Sequence, residues 1–285
     1  MPSTSVATTP VALSSVYGVL AARGPEARKF LHGQLSQDVN GLAADRVVLA
    51  GLHNPQGRTL AVLRVVPANA TDLLLLLPRE LVAVVQTTLA KFVLRTKVTL
   101  NDESERWAVT GLPDGVAGSG VASTRFLWQH AADGRRLQLT ERTPTDIEAT
   151  DAKALPHWHA ADIAAGLPQV YRATSGAFVA QMLNLDVLGG IAFDKGCYTG
   201  QEVIARAHYR GRVKRRLQRY VTHAAATLQP GDSVALDPER SAEVVDSVVR
   251  ADGRCEFLAV ANFGTSADAA SAAIEPLPLP YALPD

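Results

Sequence analysis

The chain has 285 residues, 47% of them hydrophobic, and equal numbers of basic and acidic side chains, 28 of each. This balance excludes an overall attraction to nucleic acid or to an anionic membrane, so any such attraction has to be local. The length exceeds one ordinary compact core, which favours two or three domains. Two cysteines are too few for a secreted disulfide scaffold, and we expect a soluble protein of the reducing cytoplasm.

The first half of the chain mixes helical and strand patterns. A helix is predicted over residues 25–39, where Phe30 and Leu35 share one face. Apolar runs at 47–52 and 60–66 enclose a Pro/Gly turn and predict a hairpin. The other predicted elements here are a strand at 73–77, a helix at 79–94, and strands at 98–100, 107–110, 126–130 and 137–140. This order indicates an α+β domain with an antiparallel sheet.

The second half begins with a predicted helix at 156–166, followed much later by short strand-like pieces. These pieces are separated by glycine or proline, which is typical of a small barrel or sandwich. They lie at 217–221, 233–236, 243–250 and 257–263. The proline-rich tail, 276–285, is predicted to be an extended strap or disordered.

The most distinctive segment, residues 193–202, carries Cys197 between two glycines. Lys195 lies two residues earlier, and a nearby ammonium stabilises a thiolate, the nucleophilic and metal-binding form of cysteine. Glu202 suits the start of a helix predicted at 202–207, because an acidic side chain is favourable at a helix N-terminus. The alternative interpretation is that Cys197 is a small buried hydrophobic residue and that the glycines only shape a turn.

A family resemblance favours the functional interpretation of Cys197 over the structural one. The motif Lys195-Gly196-Cys197-Tyr198-Thr199-Gly200-Gln201-Glu202 resembles the signature of the YgfZ-type folate-binding proteins, which are relatives of the glycine-cleavage T-protein. The similarity extends over roughly residues 16–220, including the segments 30–39, 53–58, 175–178 and 181–186.

This resemblance implies an α+β fold with several domains. Ferredoxin-like antiparallel-sheet domains and a small C-terminal β-barrel are expected to form a T-protein-like ring around a hole that accepts a folate. The expected folate-binding domain comprises residues 10–46 plus 145–205 and carries the cysteine motif. A second α+β domain is expected at 47–144, and the β-barrel with its proline-rich tail at 206–285.

The resemblance also implies a function. The protein is expected to be a folate-binding accessory factor for assembly or repair of iron–sulfur enzymes, including those that thiolate tRNA. The expected ligand is tetrahydrofolate or a derivative, with no intrinsic metal, and the expected partners are iron–sulfur client enzymes. Cys197 and Lys195 are the expected catalytic residues, and the expected folate contacts are Trp158, Tyr17, Tyr198, Gly200, Gln201 and Glu202.

The residues themselves give this folate assignment modest support. A pterin is flat and amphipathic, so an aromatic ring can stack on it while polar groups fix its edges. Large aromatic side chains are, however, mostly buried, and the residue pattern alone favours Trp158 as a core residue.

One departure from the T-protein pattern concerns catalysis. The T-protein places acidic residues just after its hairpin glycine, and one of them takes part in aminomethyl transfer. Here Gly57 is followed by Arg58 and four uncharged residues, so no carboxylate is in place to move a proton at the folate nitrogen. We therefore argue against aminomethyl transfer, which stays as the alternative function.

A local excess of positive charge follows the cysteine motif. No acidic residue lies between Glu202 and Asp232. Such a stretch suits RNA phosphates (a tRNA-binding module), the glutamate tail of a folate, or an acidic partner protein. The alternative is a solvated strand edge, which lysine and arginine commonly protect. The candidate anion-binding residues are Arg206, Arg210, Arg212, Lys214, Arg215 and Arg216, with Arg219 close by.

Overall fold

The computed structural model describes residues 9–116, 124–129, 133–142, 154–211, 213–262 and 273–284, with backbone alone for the strand at 124–129. Within these residues the chain forms three antiparallel sheets and four α-helices. The predicted α+β class with antiparallel sheets is therefore confirmed. No helix in these ranges has both the length and the apolar character needed to cross a bilayer.

The strands are, in chain order, β1 (Val11–Ala12), β2 (Tyr17–Arg23), β3 (Val48–His53), β4 (Thr59–Pro67), β5 (Leu73–Pro78), β6 (Thr99–Asp102), β7 (Trp107–Leu112), β8 (Thr124–Gln129), β9 (Arg136–Glu141), β10 (Arg215–Ala225), β11 (Ser233–Ala235), β12 (Ser241–Val249), β13 (Arg254–Asn262) and β14 (Ile274–Leu277). The helices are α1 (Ala27–His32), α2 (Val82–Ala90), α3 (Ala154–Ala164) and α4 (Gln201–Arg210), and short 3-10 turns lie at Arg79–Leu81 and Ala180–Leu183.

In a five-stranded sheet with the order β3-β4-β5-β2-β6, strands β2 to β5 are buried on both faces, whereas the edge strand β6 is largely exposed. Successive side chains of a strand point to opposite faces, and β5 follows this rule with five leucines. Leu73, Leu75 and Leu77 join one core cluster, whereas Leu74 and Leu76 join another. The run of five leucines, predicted as a strand, is thus a buried strand whose two faces pack into two different cores.

The pairing within this sheet bears on the predicted domain limits. Strand β2 pairs with β5 and β6 along most of its length. The expected boundary between residues 46 and 47 therefore separates strands that belong to one sheet.

The other two sheets have four and five strands. One has the order β1-β7-β9-β8, and the C-terminal one has the order β11-β12-β13-β10-β14. Within the described residues β11 and β14 are the edges of the C-terminal sheet and do not pair with each other, so these pairings do not close the expected barrel. The tail is held to the core, because the Tyr281 hydroxyl donates to the Gly166 carbonyl at 2.8 Å.

The first helix is shorter than the 25–39 range predicted from periodicity. It ends at His32, and the backbone N–H of Gly33 closes the last turn on the carbonyls of Lys29 and Phe30. The next residues form an isolated bridge, Leu35 to Leu52, with the first strand of the hairpin. Leu35 shares the helical spacing but is buried from a bridge and not from a helix.

Arg216 at the start of β10 is buried, with only 3% of its surface exposed. Its two terminal nitrogens donate to the two carboxylate oxygens of Asp186 at 3.0 and 2.9 Å, and it also donates to the Gln181 carbonyl at 3.1 Å. This bidentate pair ties the C-terminal sheet to the segment that leads into the cysteine motif. Arg216 is therefore not part of an anion-binding surface, because its charge is already paired inside the protein.

We expect Arg216→Ala to lower the free energy of unfolding by about 3 kcal/mol, because it leaves the Asp186 carboxylate buried and unpaired. Chemical denaturation followed by circular dichroism measures this change. The neighbouring exposed residue provides the control, since Lys214→Ala should change the same quantity by less than about 0.5 kcal/mol. Equal effects of the two substitutions would contradict the structural role of Arg216.

Candidate functional site

A cavity of about 420 Å³ lies where elements of all three sheets meet. Leu13 comes directly after β1, Tyr17 begins β2, Trp158 lies on α3, and residues 247–249 end β12. This volume lies within the range that small-molecule sites occupy. The structure thus brings together Tyr17 and Trp158, the two aromatic residues predicted to contact a folate, at one cavity.

The backbone pattern explains why both rings reach this place. Tyr17, Val19 and Ala21 point to the same face of β2 and join the cluster that also contains Trp158. Trp158 packs on strand β7 at Gly111, where an added Cβ would lie 2.6 Å from the indole ring. A side chain at position 111 would therefore displace the tryptophan.

A buried polar network surrounds the Tyr17 hydroxyl. It accepts a hydrogen bond from Gln169 Nε2 at 2.7 Å and lies 3.5 Å from Asp162 Oδ2, to which it donates. Asp162 is one helical turn after Trp158 and pairs with Arg135 at 2.9 Å. Burial raises the pKa of Tyr17 well above its usual value, so the phenol keeps its proton and remains a donor.

Each of the two rings carries a guanidinium near one face. Arg135 Cζ lies 4.4 Å from the centre of the Trp158 ring, and Arg64 Cζ lies 5.3 Å from that of Tyr17. Such cation–π contacts are favourable, and they leave less ring surface for a ligand. Trp158 thus belongs to the core and also lines the cavity. It therefore fits both predictions made from the sequence, a core residue and a residue at the ligand site.

Two buried polar atoms at the cavity have no hydrogen-bond partner in the part of the chain that the structure describes. They are the donor Trp158 Nε1 and the acceptor Gln169 Oε1. Buried polar groups are nearly always paired, so this unpaired donor and acceptor, on two residues that line one cavity, suit a ligand that supplies both partners once the side chains turn toward it. The edge of a pterin carries N–H donors and a carbonyl oxygen, and it matches this pair.

A second polar cluster connects α3 to β12 at the cavity. His159 Nε2 lies 2.7 Å from Asp246 Oδ1, and Tyr171 donates to Asp246 Oδ2 at 3.4 Å. Burial opposes the charge on His159, but the Asp246 carboxylate outweighs it and raises the histidine pKa above its usual value. The polar partner of His159 lies 87 residues away and could not be found from spacing.

The cysteine motif lies elsewhere. Cys197 is exposed, so its interpretation as a buried hydrophobic residue is wrong. Cys197, Tyr198 and Gly200 are not among the residues that line the cavity, and neither are Gln201 and Glu202. Tyr198 is buried in the large core cluster.

Gly200 has a positive φ of 82° and starts α4. An added Cβ there would lie 2.5 Å from the Asn54 carbonyl oxygen in the hairpin turn. Glycine is thus required at this position for the cysteine motif to pack closely on the hairpin turn. In the sequence, the motif and the turn segment 53–58 are two separate matches to the family. Glu202, on the first turn of α4, is almost fully exposed and pairs with Arg206 at 3.7 Å.

Lys195 is fixed beside the motif by the end of the first helix. Its Nζ donates to the carbonyls of His32 at 2.5 Å and Leu35 at 2.7 Å, and it lies 4.8 Å from the centre of the Tyr198 ring. Burial lowers its pKa to about 8, while the charges of Asp38 and Cys197 oppose that shift. The hydrogen bonds of the Lys195 ammonium in the described structure go to these two carbonyls and not to the Cys197 sulfur.

The basic stretch divides into three kinds of residue. Arg206, Arg210 and Lys214 are exposed. Arg215 is held by the Val260 carbonyl at 3.2 Å and by Glu243 at 3.9 Å. Arg216 is buried as described above, Arg219 pairs with Glu256, and Arg212 lies outside the described residues.

We expect one lysine side chain of the folded protein to titrate with a midpoint near pH 8, because burial disfavours the Lys195 ammonium. Between about pH 8 and 10.5 the unfolded chain then binds more protons at this position, so this group makes the free energy of unfolding rise with pH. NMR titration of lysine side-chain signals measures the midpoint. The signal should be missing in Lys195→Met, and a wild-type spectrum without such a midpoint would contradict the prediction.

Comparisons with known proteins agree with this architecture. No protein-family model matches the chain. The chain is 34% identical over 300 residues to "tRNA-modifying protein YgfZ" from Klebsiella pneumoniae (strain 342), an alignment that covers 92% of this chain and 90% of the relative. The crystal structure of glycine cleavage system aminomethyltransferase T from Bartonella henselae matches with a TM-score of 0.66 and 13% identity, covering 89% of this chain and 78% of that one, which establishes a T-protein-like fold. The chain belongs to the YgfZ family.

Proposed function

We propose that the protein binds a reduced folate in the cavity between Tyr17 and Trp158 and serves in the assembly or repair of iron–sulfur enzymes. The observation that carries the folate part is the unpaired donor and acceptor, Trp158 Nε1 and Gln169 Oε1, on a cavity of about 420 Å³. A pterin ring satisfies both atoms, and its flat apolar faces suit the aromatic lining.

The chain supplies defined roles for this ligand. Gln169 accepts from a pterin N–H group, and the Trp158 indole donates to a pterin acceptor. Arg135 and Asp162 hold the tryptophan and the Tyr17 hydroxyl in place from behind. The bound folate supplies one-carbon chemistry at its reduced ring nitrogens. Tyr198, Gly200, Gln201 and Glu202 are left out of the folate contacts, because none of them lines the cavity.

The three-domain ring, with ferredoxin-like units and a C-terminal barrel, belongs to the same proposal. Its support is that the cavity wall draws on strands β2, β5 and β12, from two of the three sheets, and on Leu13, which comes directly after β1 of the third. The folate therefore binds between structural units, as is common for small-molecule sites.

Cys197 is proposed to act on a partner protein. Its support is the exposure of the thiol together with the fixed, partly buried ammonium of Lys195 in the same loop. A thiolate is the form of cysteine that binds iron and attacks sulfur, and an exposed one is open to a client. Because a 34% identical relative is named a tRNA-modifying protein, we include tRNA-thiolating enzymes among the proposed clients.

Aminomethyl transfer, the alternative, has no support at the hairpin turn. The first residue after Gly57 is Arg58, whose guanidinium donates to the Ala177 carbonyl. The next one, Thr59, is buried beside His53. A carboxylate able to accept a proton from a folate nitrogen is missing from residues 58–62.

We expect Trp158→Phe to weaken tetrahydrofolate binding about threefold to tenfold, because it keeps an aromatic ring but removes the indole N–H donor together with the pyrrole part of the indole. Gln169→Leu should weaken binding to a similar extent. Isothermal titration calorimetry of the purified proteins with tetrahydrofolate measures both affinities.

The matched control is Gln86→Leu, which removes a side-chain amide that donates to the Leu100 carbonyl, and neither of these residues lines the cavity. Its affinity should equal that of the wild type. Thermal melts establish that each variant is folded before titration. Wild-type affinity in both cavity variants would place the folate elsewhere.

We expect Cys197→Ala to reduce the activity of iron–sulfur enzymes in cells while leaving the melting temperature nearly unchanged, because the thiol is exposed. Cys255→Ala is the matched control. It removes a fully buried sulfur from the C-terminal sheet, so it should lower the melting temperature without a specific effect on iron–sulfur enzymes. Full enzyme activity in cells that carry Cys197→Ala would remove the thiol from the function.

A further inference from the structure

An aromatic cluster lies on the surface just beyond the cysteine motif. The ring of Phe193 is stacked on that of His208, with centres 3.7 Å apart and planes 15° apart. Tyr209 meets His208 edge to face at 4.7 Å. Phe193 is anchored on the large core cluster, whereas 67% of the Tyr209 surface is exposed. The protein thus holds an exposed aromatic platform on a fixed base.

Positive charge lies beside this platform on the same helix. Arg206 and Arg210 are four residues apart on α4 and therefore share a face, and Tyr209 is three residues after Arg206. Both arginines are exposed. Arg206 pairs with Glu202 at 3.7 Å, and an ion pair this exposed contributes little. The arginines are therefore accessible to an anionic ligand.

We propose that the α4 surface, formed by Phe193, Arg206, His208, Tyr209 and Arg210, binds single-stranded nucleic acid. An unpaired base stacks on Tyr209, and Arg206 and Arg210 contact the neighbouring phosphates. Exposed aromatic rings interleaved with arginines are the combination that binds single strands, because every base has a face for stacking and every nucleotide has a charge.

The aromatic rings separate this ligand from other anions. A free phosphate or an acidic peptide would use the arginines but would leave the exposed Tyr209 ring in water. A duplex would also leave the ring unused, because its bases are already stacked. The ligand that engages both the rings and the charges is a strand with unpaired bases.

Two carboxylates at the border give the proposal a test of opposite sign. Glu202 pairs with Arg206, and Asp194 is exposed next to Phe193 in the chain. Glu202 repels a phosphate and competes for Arg206. Removing its charge should therefore strengthen the binding of a strand, whereas a surface without an anionic ligand would not respond.

The experiment uses the full-length protein and fluorescein-labelled RNA of about 12 nucleotides, long enough to cover one such site. Fluorescence anisotropy measures the affinity for the single strand, for the same sequence as a duplex, and for the DNA strand. We expect the single strand to bind more tightly than the duplex, and Tyr209→Ala to weaken its binding about tenfold. Arg210→Ala should lower the slope of log affinity against log salt by about 1, and Glu202→Gln should strengthen binding several-fold.

Matched controls come from another exposed patch of the same chain. Phe92→Ala removes an exposed aromatic ring and Arg95→Ala an exposed arginine, and both should bind as the wild type does. RNA and DNA strands that bind equally would support recognition of unpaired bases in either sugar form, whereas tighter RNA binding would assign the surface to RNA. Equal binding of strand and duplex, or wild-type affinity in Tyr209→Ala, would overturn the proposal. None of these outcomes depends on folate binding, which is measured separately.

Discussion

The central five-stranded sheet, whose strands β2 to β5 are buried on both faces, fixes the position of the cavity. The buried apolar residues of β2 and β5 fall alternately into one core or the other, because successive side chains point to opposite faces. A shift of one residue in the β2–β5 register would exchange the two cores. It would also turn Tyr17 away from Trp158, so the pairing that stabilises the fold is the same one that builds the site.

The cavity illustrates how a protein keeps polar groups inside an apolar wall. Asp162 is paired with Arg135, and Asp246 is held by His159 and Tyr171, so each buried carboxylate has partners from other elements. Burying either carboxylate without a partner would lower the free energy of unfolding by several kcal/mol. Only Trp158 Nε1 and Gln169 Oε1 break this pattern among the polar groups of the lining, and an imbalance of this kind is where a ligand adds binding energy.

Sequence reasoning found most strands, because periodicity is a local signal, whereas both aromatic residues were expected from the family resemblance and not from the residue pattern. It missed the end of α1, since Leu35 keeps the helical spacing while it is buried by a bridge to Leu52. Burial of Arg216 was also missed, because a run of basic residues does not reveal that one member faces Asp186, thirty positions earlier. The polar lining of the cavity depends on partners far apart in the chain, and spacing carries no information about them.

The exposed thiol and the α4 surface belong to one continuous segment, residues 193–210, which packs on the hairpin turn through Gly200 and Asn54. The cavity is built from other parts of the chain, and the motif contributes no residue to its lining. A reaction at Cys197 and a ligand in the cavity therefore have no lining residue in common. Any influence of a bound folate on the thiol has to pass through the packed core that contains Tyr198, or along a ligand long enough to leave the cavity.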